Sequence, residues 1–174
     1  MGEVEVTAGV VIRGAVAADV ERVLPMVAGV VALHEEWDSA RYGALPDVIE
    51  RYRRWLPGRA SDPRSVFLVA EAPAALVGFV VASVESNIPI YKVEEFGFVH
   101  DMWVEPAWRG RGIARGLATA CVERFGAMGV RQIRLETAWR NEGARRVFRA
   151  AGFRETAVEM ALDLPSPTPE RDPT

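Results

Sequence analysis

A glycine-rich turn constrains this chain more than any other segment, because it separates a hydrophobic strand from an amphipathic helix. The turn is Arg109–Ala114, with the sequence R-G-R-G-I-A, and it follows the apolar run 98–104. Apolar residues then recur at helical spacing, at Ile113, Leu117, Cys121 and Phe125. Backbone N–H groups of such a turn can approach an anion, and the helix N-terminus adds unpaired donors and the positive end of its dipole. The sequence therefore predicts a seat for a phosphate or pyrophosphate.

Two common phosphate-binding motifs do not fit this turn. The chain has no string in which Gly, four residues and Gly-Lys-Ser/Thr follow one another, as a Walker loop requires. Residues 110–116 fit the pattern G-x-G-x-x-x-G. However, they come late in the chain with only one clear strand–helix unit around them, whereas a dinucleotide fingerprint needs a second strand with an acidic residue. Both motifs are disfavoured.

The pattern R-x-x-G-x-A, formed by Arg109, Gly112 and Ala114, resembles the acetyl-CoA pyrophosphate loop of the GNAT superfamily of N-acetyltransferases. A second block is similar to the strand and helix that follow in that family; it comprises Leu135–Asn141 together with Ala144, Phe148, Gly152 and Phe153. Two blocks in the family's order and spacing are more specific than either alone, and the resemblance spans roughly residues 66–162. It implies an α/β fold with a mixed, mostly antiparallel sheet of six to seven strands and about four flanking helices. It also implies that the sheet is splayed between its fourth and fifth strands to admit acetyl-CoA.

Hydrophobic periodicity and turn residues predict the elements of this fold. Strands are expected over 4–13, 66–71, 76–85, 96–104, 132–138 and 153–164. Helices are expected over 19–37, over 46–56 with an end before Pro57, from the glycine turn to about 128, and after Asn141 up to Gly152. We expect one domain over residues 1–164 and a disordered, proline-rich tail over 165–174.

Composition excludes several other classes of protein. The net charge is −3 and no basic stripe is present, so the sequence predicts no binding to nucleic acid. No apolar run reaches membrane-spanning length and the N-terminus lacks the features of a leader, so we expect a cytoplasmic chain with no membrane contact. The single cysteine, Cys121, lies on an apolar helix face and is expected to be a buried core thiol. We predict no metal site.

The family resemblance implies which residues bind the donor. The main chain of Met102, Trp103 and Val104 would lie along the pantetheine arm and hold the thioester carbonyl, while the side chains of Met102 and Val104 pack in the core. The pyrophosphate would contact the turn and the start of its helix, namely Arg109, Gly110, Arg111, Gly112, Ile113, Ala114 and Arg115. Asn141 matches an asparagine that meets the cofactor in the family, although the same residue would serve equally as a helix N-cap. Phe148 completes the predicted donor site.

Two residues are candidates for the general base. His100 lies two residues before Met102, and imidazole titrates near neutrality, which suits proton removal from an ammonium ion. A hydrogen-bonded histidine of the sheet is the competing interpretation, although direct pairing with Asp101 is disfavoured because consecutive strand residues face opposite sides. Glu136 interrupts an otherwise apolar strand, where burial would raise the pKa of its carboxyl. A structural ion pair with an arginine is its alternative role.

Phe148 departs from the family pattern, because many members have a tyrosine at that position whose hydroxyl protonates the leaving thiolate. Phenylalanine has no proton to give, so water or another group would act, or the thiolate would leave unprotonated. Tyr42 and Tyr91 are candidate substitutes. The same departure supports an alternative function, a non-catalytic module that binds or senses acyl-CoA.

The acceptor is less constrained than the donor. The segments His34–Asp38 and Glu94–Glu95 are acidic, with aromatic residues nearby. They suit a cationic amine, although a solvated charged surface explains them equally. The resemblance implies direct acetyl transfer, in a ternary complex, to the primary amine of a small molecule or of a protein. A homodimer is compatible with this prediction. A third interpretation, a nucleotide-binding domain, would be stabilised against heat by ATP or NAD rather than by CoA.

Overall fold

The structure, a computed structural model, describes residues 4–7 and 9–164, in which six strands form one sheet. They are β1 (Val4–Thr7), β2 (Val10–Gly14), β3 (Ser65–Ala72), β4 (Ala75–Ser86), β5 (Glu95–Val104) and β6 (Ile133–Leu135). The strands lie side by side in chain order. Every neighbouring pair is antiparallel except β5 and β6, which are parallel. The mixed, mostly antiparallel sheet predicted from the sequence is confirmed.

Helices cover both faces of the sheet. They are α1 (Val20–Trp37), α2 (Ser39–Tyr42), α3 (Val48–Ser61), α4 (Ile113–Ala127) and α5 (Glu142–Ala150). Helices α1 and α3 bury Val23 and Leu56 against one face, whereas α4 buries Leu117 and Phe125 against the other. Cys121 lies in the α4 layer, and burial raises the pKa of its thiol to about 12, as expected of a core cysteine. None of the described helices is long and apolar enough to cross a membrane.

Three predicted elements have different bounds in the structure. The first strand is a hairpin of β1 and β2, because the chain turns at Gly9, whose φ of 75° is in the left-handed region. Helix α3 continues through Pro57 to Ser61, since Leu56 is fully buried and Ala60 packs against the same core. Tertiary packing there outweighs the missing N–H of the proline. Strand β6 is shorter than predicted and ends at Leu135.

The predicted final strand over 153–164 is wrong. Its alternating apolar side chains, Val158, Met160, Leu162 and Leu164, are 79–91% exposed, and no strand is present there in the described residues. A strand needs a neighbour to pair with, and β6, at the edge of the sheet, offers only three residues. The predicted tail, 165–174, lies outside the described residues.

A β-bulge interrupts the pairing of β4 and β5 at the residue proposed as a base. Val81 is paired with Asp101 and Ala82 with Val99, which leaves His100 as the extra residue. The bulge changes the alternation of side chains, so that His100 and Asp101 both face the helices α1 and α3. Trp55 of α3 lies against the ring of His100, and Tyr52 of α3 is hydrogen-bonded to Asp101.

The sheet opens between β5 and β6. Their parallel pairing covers only three positions and ends where Val99 meets Leu135, whereas β5 continues to Val104. Beyond Val99 the described strands pair β5 with β4 alone. The predicted fourth and fifth strands correspond to β5 and β6, so the predicted splay between them is confirmed. The stretch of β5 directly before the glycine-rich turn is therefore unpaired along the edge that faces β6.

A cluster of ion pairs joins the start of α1 to the sheet. Asp19 is 2% exposed and accepts hydrogen bonds from Arg13 at 2.7 and 2.9 Å and from the main chain of Val16. Arg13 also donates to Glu71 of β3 at 2.6 Å. The hydrogen bonds from Arg13 lower the pKa of the Asp19 carboxyl, against the effect of its burial.

Candidate active site

The glycine-rich turn has the geometry of an anion seat. Gly110 and Gly112 have φ angles of 76° and 83°, which residues other than glycine rarely adopt. A β-carbon at either position would meet no atom within 4 Å, so these glycines are needed for backbone conformation and not for packing. Gly112 is the N-cap of α4, whose first amides have no intrahelical acceptor. Open space, exposed backbone and a helix N-terminus together fit a pyrophosphate.

The arginines of the turn have separate roles. Arg109 lies over the ring of Trp103 at 4.7 Å and donates from Nε to the carbonyl of Val104 at 2.9 Å, so it fastens the turn to the end of β5. Arg111 lies over the ring of Trp108, also at 4.7 Å. Arg115 is exposed on the first turn of α4. Ile113 is buried and Ala114 is half-buried, so only their main chain is suited to bind a ligand.

The strand residues before the turn pack as expected. Met102 and Val104 face the α4 layer of the core, whereas Trp103 faces α1. The indole Nε1 of Trp103 is buried without a hydrogen-bond partner among the described residues. The side chains of these three residues are structural, which leaves their main chain along the open edge of β5 as the part suited to hold a thioester.

A cavity of about 150 Å³ lies where β5 and β6 diverge. It is lined by residues of β5, of α1 and α2, and of the segment directly after β6, namely His34, Tyr42, Phe98, Val99, His100, Glu136, Thr137 and Ala138. Both predicted base candidates therefore line one cavity. The two histidines of the chain also meet there, and Tyr42, one of the two tyrosines considered as a proton donor, is part of the same wall. Tyr91 lies elsewhere, 57% exposed in the loop between β4 and β5.

His100 is held on several sides. Its Nε2 lies 2.6 Å from the hydroxyl oxygen of Ser83, and its ring meets the edges of Trp55 and Phe98 at centroid distances of 5.3 and 5.2 Å. Burial lowers the pKa of His100, against the opposing effect of Glu85 and Asp101. Burial therefore favours the neutral imidazole, which is able to accept a proton.

Asp101 is a second polar group beside His100 and is half-buried. The hydroxyl of Tyr52 donates to its carboxylate at 2.8 Å. Burial raises the pKa of Asp101, whereas the hydrogen bond from Tyr52 opposes that rise. Burial also lowers the pKa of His34. A carboxylate inside an apolar strand was the signal in the sequence that could have identified this group.

Glu136 is not buried as predicted. Strand β6 ends one residue earlier, and the Glu136 side chain is 70% exposed at the rim of the cavity. Its ion pair with Arg41 is long, at 3.5 Å, and Arg41 also pairs with Glu159. This agrees with the alternative role as an ion-pair partner, while its position keeps Glu136 available to a cationic ligand.

The remaining predicted residues have structural roles. Asn141 is the N-cap of α5 and accepts a hydrogen bond from the amide of Ala144 at 3.0 Å. Phe148 is 8% exposed and packs against Phe153, with ring centroids 5.4 Å apart. Neither side chain lines the cavity.

The acidic segments predicted near the acceptor are mostly occupied by local contacts. Glu35 accepts from the amide of Ala44, Asp38 caps α2 through the amide of Arg41, and Glu95 pairs with Arg64. Of these segments only His34 lines the cavity.

A sheet split beside an exposed helix N-terminus, with a histidine in the split, is the arrangement that the family resemblance implies. The sequence profile of the Acetyltransferase (GNAT) family matches residues 29–153, and the chain belongs to this family. The resemblance drawn from the two sequence blocks is thereby confirmed.

Two curated relatives and one solved structure illustrate the similarity. An uncharacterised N-acetyltransferase of Methanocaldococcus jannaschii is 34% identical over 109 residues, which cover 62% of this chain but 46% of the relative. An aminoglycoside N(6')-acetyltransferase type 1 of Stenotrophomonas maltophilia is 26% identical, covering 74% of this chain and 85% of the relative. The crystal structure of a predicted acetyltransferase with acetyl-CoA from Clostridium acetobutylicum aligns with a TM-score of 0.70 at 22% identity, covering 88% of this chain and 96% of the other. The chain thus spans about half the length of the first relative and most of the other two proteins.

Proposed function

We propose that this chain is an acetyl-CoA-dependent N-acetyltransferase that acts on the primary amine of a small molecule by direct transfer in a ternary complex. The observation that carries the proposal is the layout of β5. Its unpaired stretch begins at the cavity that His100 lines and ends at the turn where Gly110 and Gly112 expose the backbone. A donor bound to the turn and lying along the strand would bring its reacting end towards the cavity.

The donor is held mainly by the main chain. The pyrophosphate would accept hydrogen bonds from amides of Gly110–Arg115, with the dipole of α4 favouring its negative charge. The pantetheine arm would lie along Met102–Val104. Backbone N–H groups there would stabilise the oxyanion that forms on the thioester carbonyl.

His100 would start the transfer. It takes one proton from the ammonium group of the acceptor, and the free amine attacks the thioester carbon, so a C–N bond forms. A tetrahedral intermediate forms first, and its collapse breaks the C–S bond and gives the acetamide and the CoA thiolate, while the nitrogen gives its second proton to water. We propose that the hydroxyl of Tyr42 donates a proton to the thiolate, because Tyr42 lines the cavity and Phe148 does not.

The acceptor is proposed to be small and cationic. The cavity, of about 150 Å³, has room for a primary amine and its near neighbours, and Glu136 places a carboxylate at the rim. The similarity to an aminoglycoside acetyltransferase supports the same class of acceptor.

A panel of primary amines tests the proposal. Polyamines, aminoglycosides and peptides with free amino termini are incubated with acetyl-CoA, and free CoA is measured as released thiol. We expect release above the hydrolytic background with at least one small amine, and its loss in His100→Gln. Binding of acetyl-CoA without release by any amine would instead support a non-catalytic acyl-CoA module. Thermal stabilisation by ATP or NAD, but not by CoA, would support a nucleotide-binding domain.

A further inference from the structure

A hydrogen-bond chain runs from His100 away from the cavity. The hydroxyl oxygen of Ser83 lies 2.6 Å from His100 Nε2 and 2.7 Å from Glu85 Oε1, while Nε2 and Oε1 are 3.7 Å apart. Ser83 is 3% exposed, one of the few buried polar residues of the core. Ser83 and Glu85 are two positions apart on β4, so their side chains share one face of the strand.

The chemistry of the three groups fixes the direction of each hydrogen bond. An ionised carboxylate only accepts, and a serine hydroxyl has one proton to donate. Ser83 therefore donates to Glu85, and its oxygen must accept from His100, which requires a proton on Nε2. We propose that Ser83 and Glu85 are positioning residues that hold His100 as the Nε2–H tautomer and leave Nδ1 as the nitrogen that takes the proton of the acceptor amine.

The surroundings of the ring support this assignment. Trp55 and Phe98 meet the imidazole edge-on and restrict its rotation. His100 lines the cavity, and its Nδ1 has no hydrogen-bond partner among the residues that the structure describes. A neutral imidazole with one nitrogen satisfied inside the protein has its other nitrogen as the available base.

The same chain would stabilise the product of proton transfer. This step rests on the proposed function of His100. When Nδ1 takes a proton from the ammonium group, the ring becomes a cation whose Nε2–H still donates to Ser83, and Ser83 still donates to Glu85. The charged groups near the ring are Glu85 of β4 and Asp101 of β5, which favour the cation, and Arg59 of α3, which opposes it. Loss of the Glu85 charge is therefore expected to make His100 a weaker base.

Nitrogen NMR of the free protein tests the tautomer without any substrate. The chain has two histidines, so the ring signals of ¹⁵N-labelled protein can be assigned with the variant His100→Gln. Above the pKa of His100 we expect Nε2 to show the shift of a protonated nitrogen and Nδ1 that of an unprotonated one. In Ser83→Ala the signals should move towards a mixture of both tautomers. A predominant Nδ1–H tautomer in the unsubstituted protein would overturn the proposal.

Kinetics of two charge-neutralising variants test the positioning role. Glu85→Gln should lower kcat by about tenfold or more, since general-base catalysis contributes roughly 10²–10⁴-fold, with little change in KM for acetyl-CoA. The acid limb of its pH–rate profile should move to lower pH, which a purely structural role would not produce. Glu95→Gln is the control, because Glu95 pairs with Arg64 and has no contact with His100. An unchanged acid limb in Glu85→Gln would overturn the role of Glu85. If no amine reacts with the unsubstituted protein, the proposed function fails while the NMR result still decides the tautomer.

Discussion

The indole of Trp103 lies directly against the backbone of Gly29, so that a β-carbon at position 29 would come within 2.8 Å of the ring carbon Cζ2. Trp103 belongs to β5 and Gly29 to α1, and the guanidinium of Arg109 lies over the same indole. The position of the donor turn therefore depends on how closely α1 approaches the sheet.

Gly29→Ala should destabilise the protein, although alanine is the better helix former. The added methyl group must displace a packed indole, and overpacking of this kind costs about 1–3 kcal/mol of unfolding free energy. Gly126→Ala in α4 is the matched control, because nothing lies within 4 Å of the β-carbon it adds. The control should gain up to about 1 kcal/mol from helix propensity. Equal stability of the two variants in urea unfolding would contradict the close contact.

Gly112→Ala should weaken the binding of acetyl-CoA. The methyl group enters the open space where the pyrophosphate is proposed to lie, and the left-handed backbone costs roughly 1–2 kcal/mol with any side chain. Loss of one hydrogen bond to a charged group, about 1.5–3 kcal/mol, corresponds to at least about tenfold in Kd.

Gly129→Ala is the control that separates the effect of backbone strain from the effect of a methyl group in the proposed pyrophosphate site. Gly129 follows α4 with a φ of 80° and open space around it, but lies at the opposite end of that helix from the turn. Its variant should lose similar stability and keep its affinity for acetyl-CoA in calorimetric titration. Equal affinity in both variants would remove the turn from the donor site.

The pH dependence of the rate should distinguish the two base candidates. The pKa of His100 is lowered from 6.5 by burial, so the rate should rise with pH along an acid limb that lies below pH 6.5. His100→Gln should remove this limb and lower kcat by roughly 10²–10⁴-fold. Glu136→Gln should raise KM for a cationic amine and leave the limb in place, since Glu136 lies exposed at the rim. If instead Glu136→Gln removed the acid limb from the pH profile of kcat/KM and His100→Gln kept it, Glu136 would be the base.

Asp19 should make stability depend on pH in the acid range. Because Arg13 lowers the folded pKa of Asp19 below 3.8, its stabilisation is present in full above that value and is lost as pH falls through the folded pKa. Asp19→Asn leaves Arg13 without its buried partner and should cost about 3 kcal/mol at pH 7. The difference from the unsubstituted protein in urea unfolding should shrink towards pH 2. Asp47→Asn, at an exposed ion pair, should change stability far less.

Tyr42→Phe tests the source of the proton for the thiolate. If the hydroxyl donates to the departing sulfur, kcat should fall while the KM for acetyl-CoA changes little. Tyr91→Phe is the control, because Tyr91 is exposed outside the cavity. Equal kcat values for the two variants, in a steady-state assay of thiol release, would show that water protonates the thiolate or that it leaves as the anion.

The sequence predicted those parts of the fold that depend on local pattern. The glycine turn, α4 with its end at Gly129, and Asn141 as N-cap of α5 follow from short-range chemistry that the structure repeats. The position of the bulge, at His100, could not be predicted, because it depends on the register between two strands. The extension of α3 through Pro57 and the exposure of Glu136 likewise depend on packing between distant segments.

The candidate site also divides into parts that local sequence predicts and parts that depend on tertiary structure. The donor turn is contiguous in the chain, so its residues could be listed before the fold was known. The contacts of His100 include Ser83 of β4 and Trp55 of α3, and no spacing in the sequence links either residue to it. Long-range side-chain networks are set by tertiary structure, and only the carboxylate of Asp101, within an apolar strand, gave a local sign of one.

The parallel pairing of β5 and β6 at only three positions has a consequence for how the sequence of such a protein can evolve. The glycine-rich turn lies between the end of β5 and α4, whereas α1, α2 and the segment after β6 supply most walls of the cavity. If the cavity is the acceptor site that we propose, substitutions at His34, Tyr42 or Glu136 would alter which amine is accepted without disturbing the turn. A scaffold with this separation would diversify its acceptors while its donor stays the same.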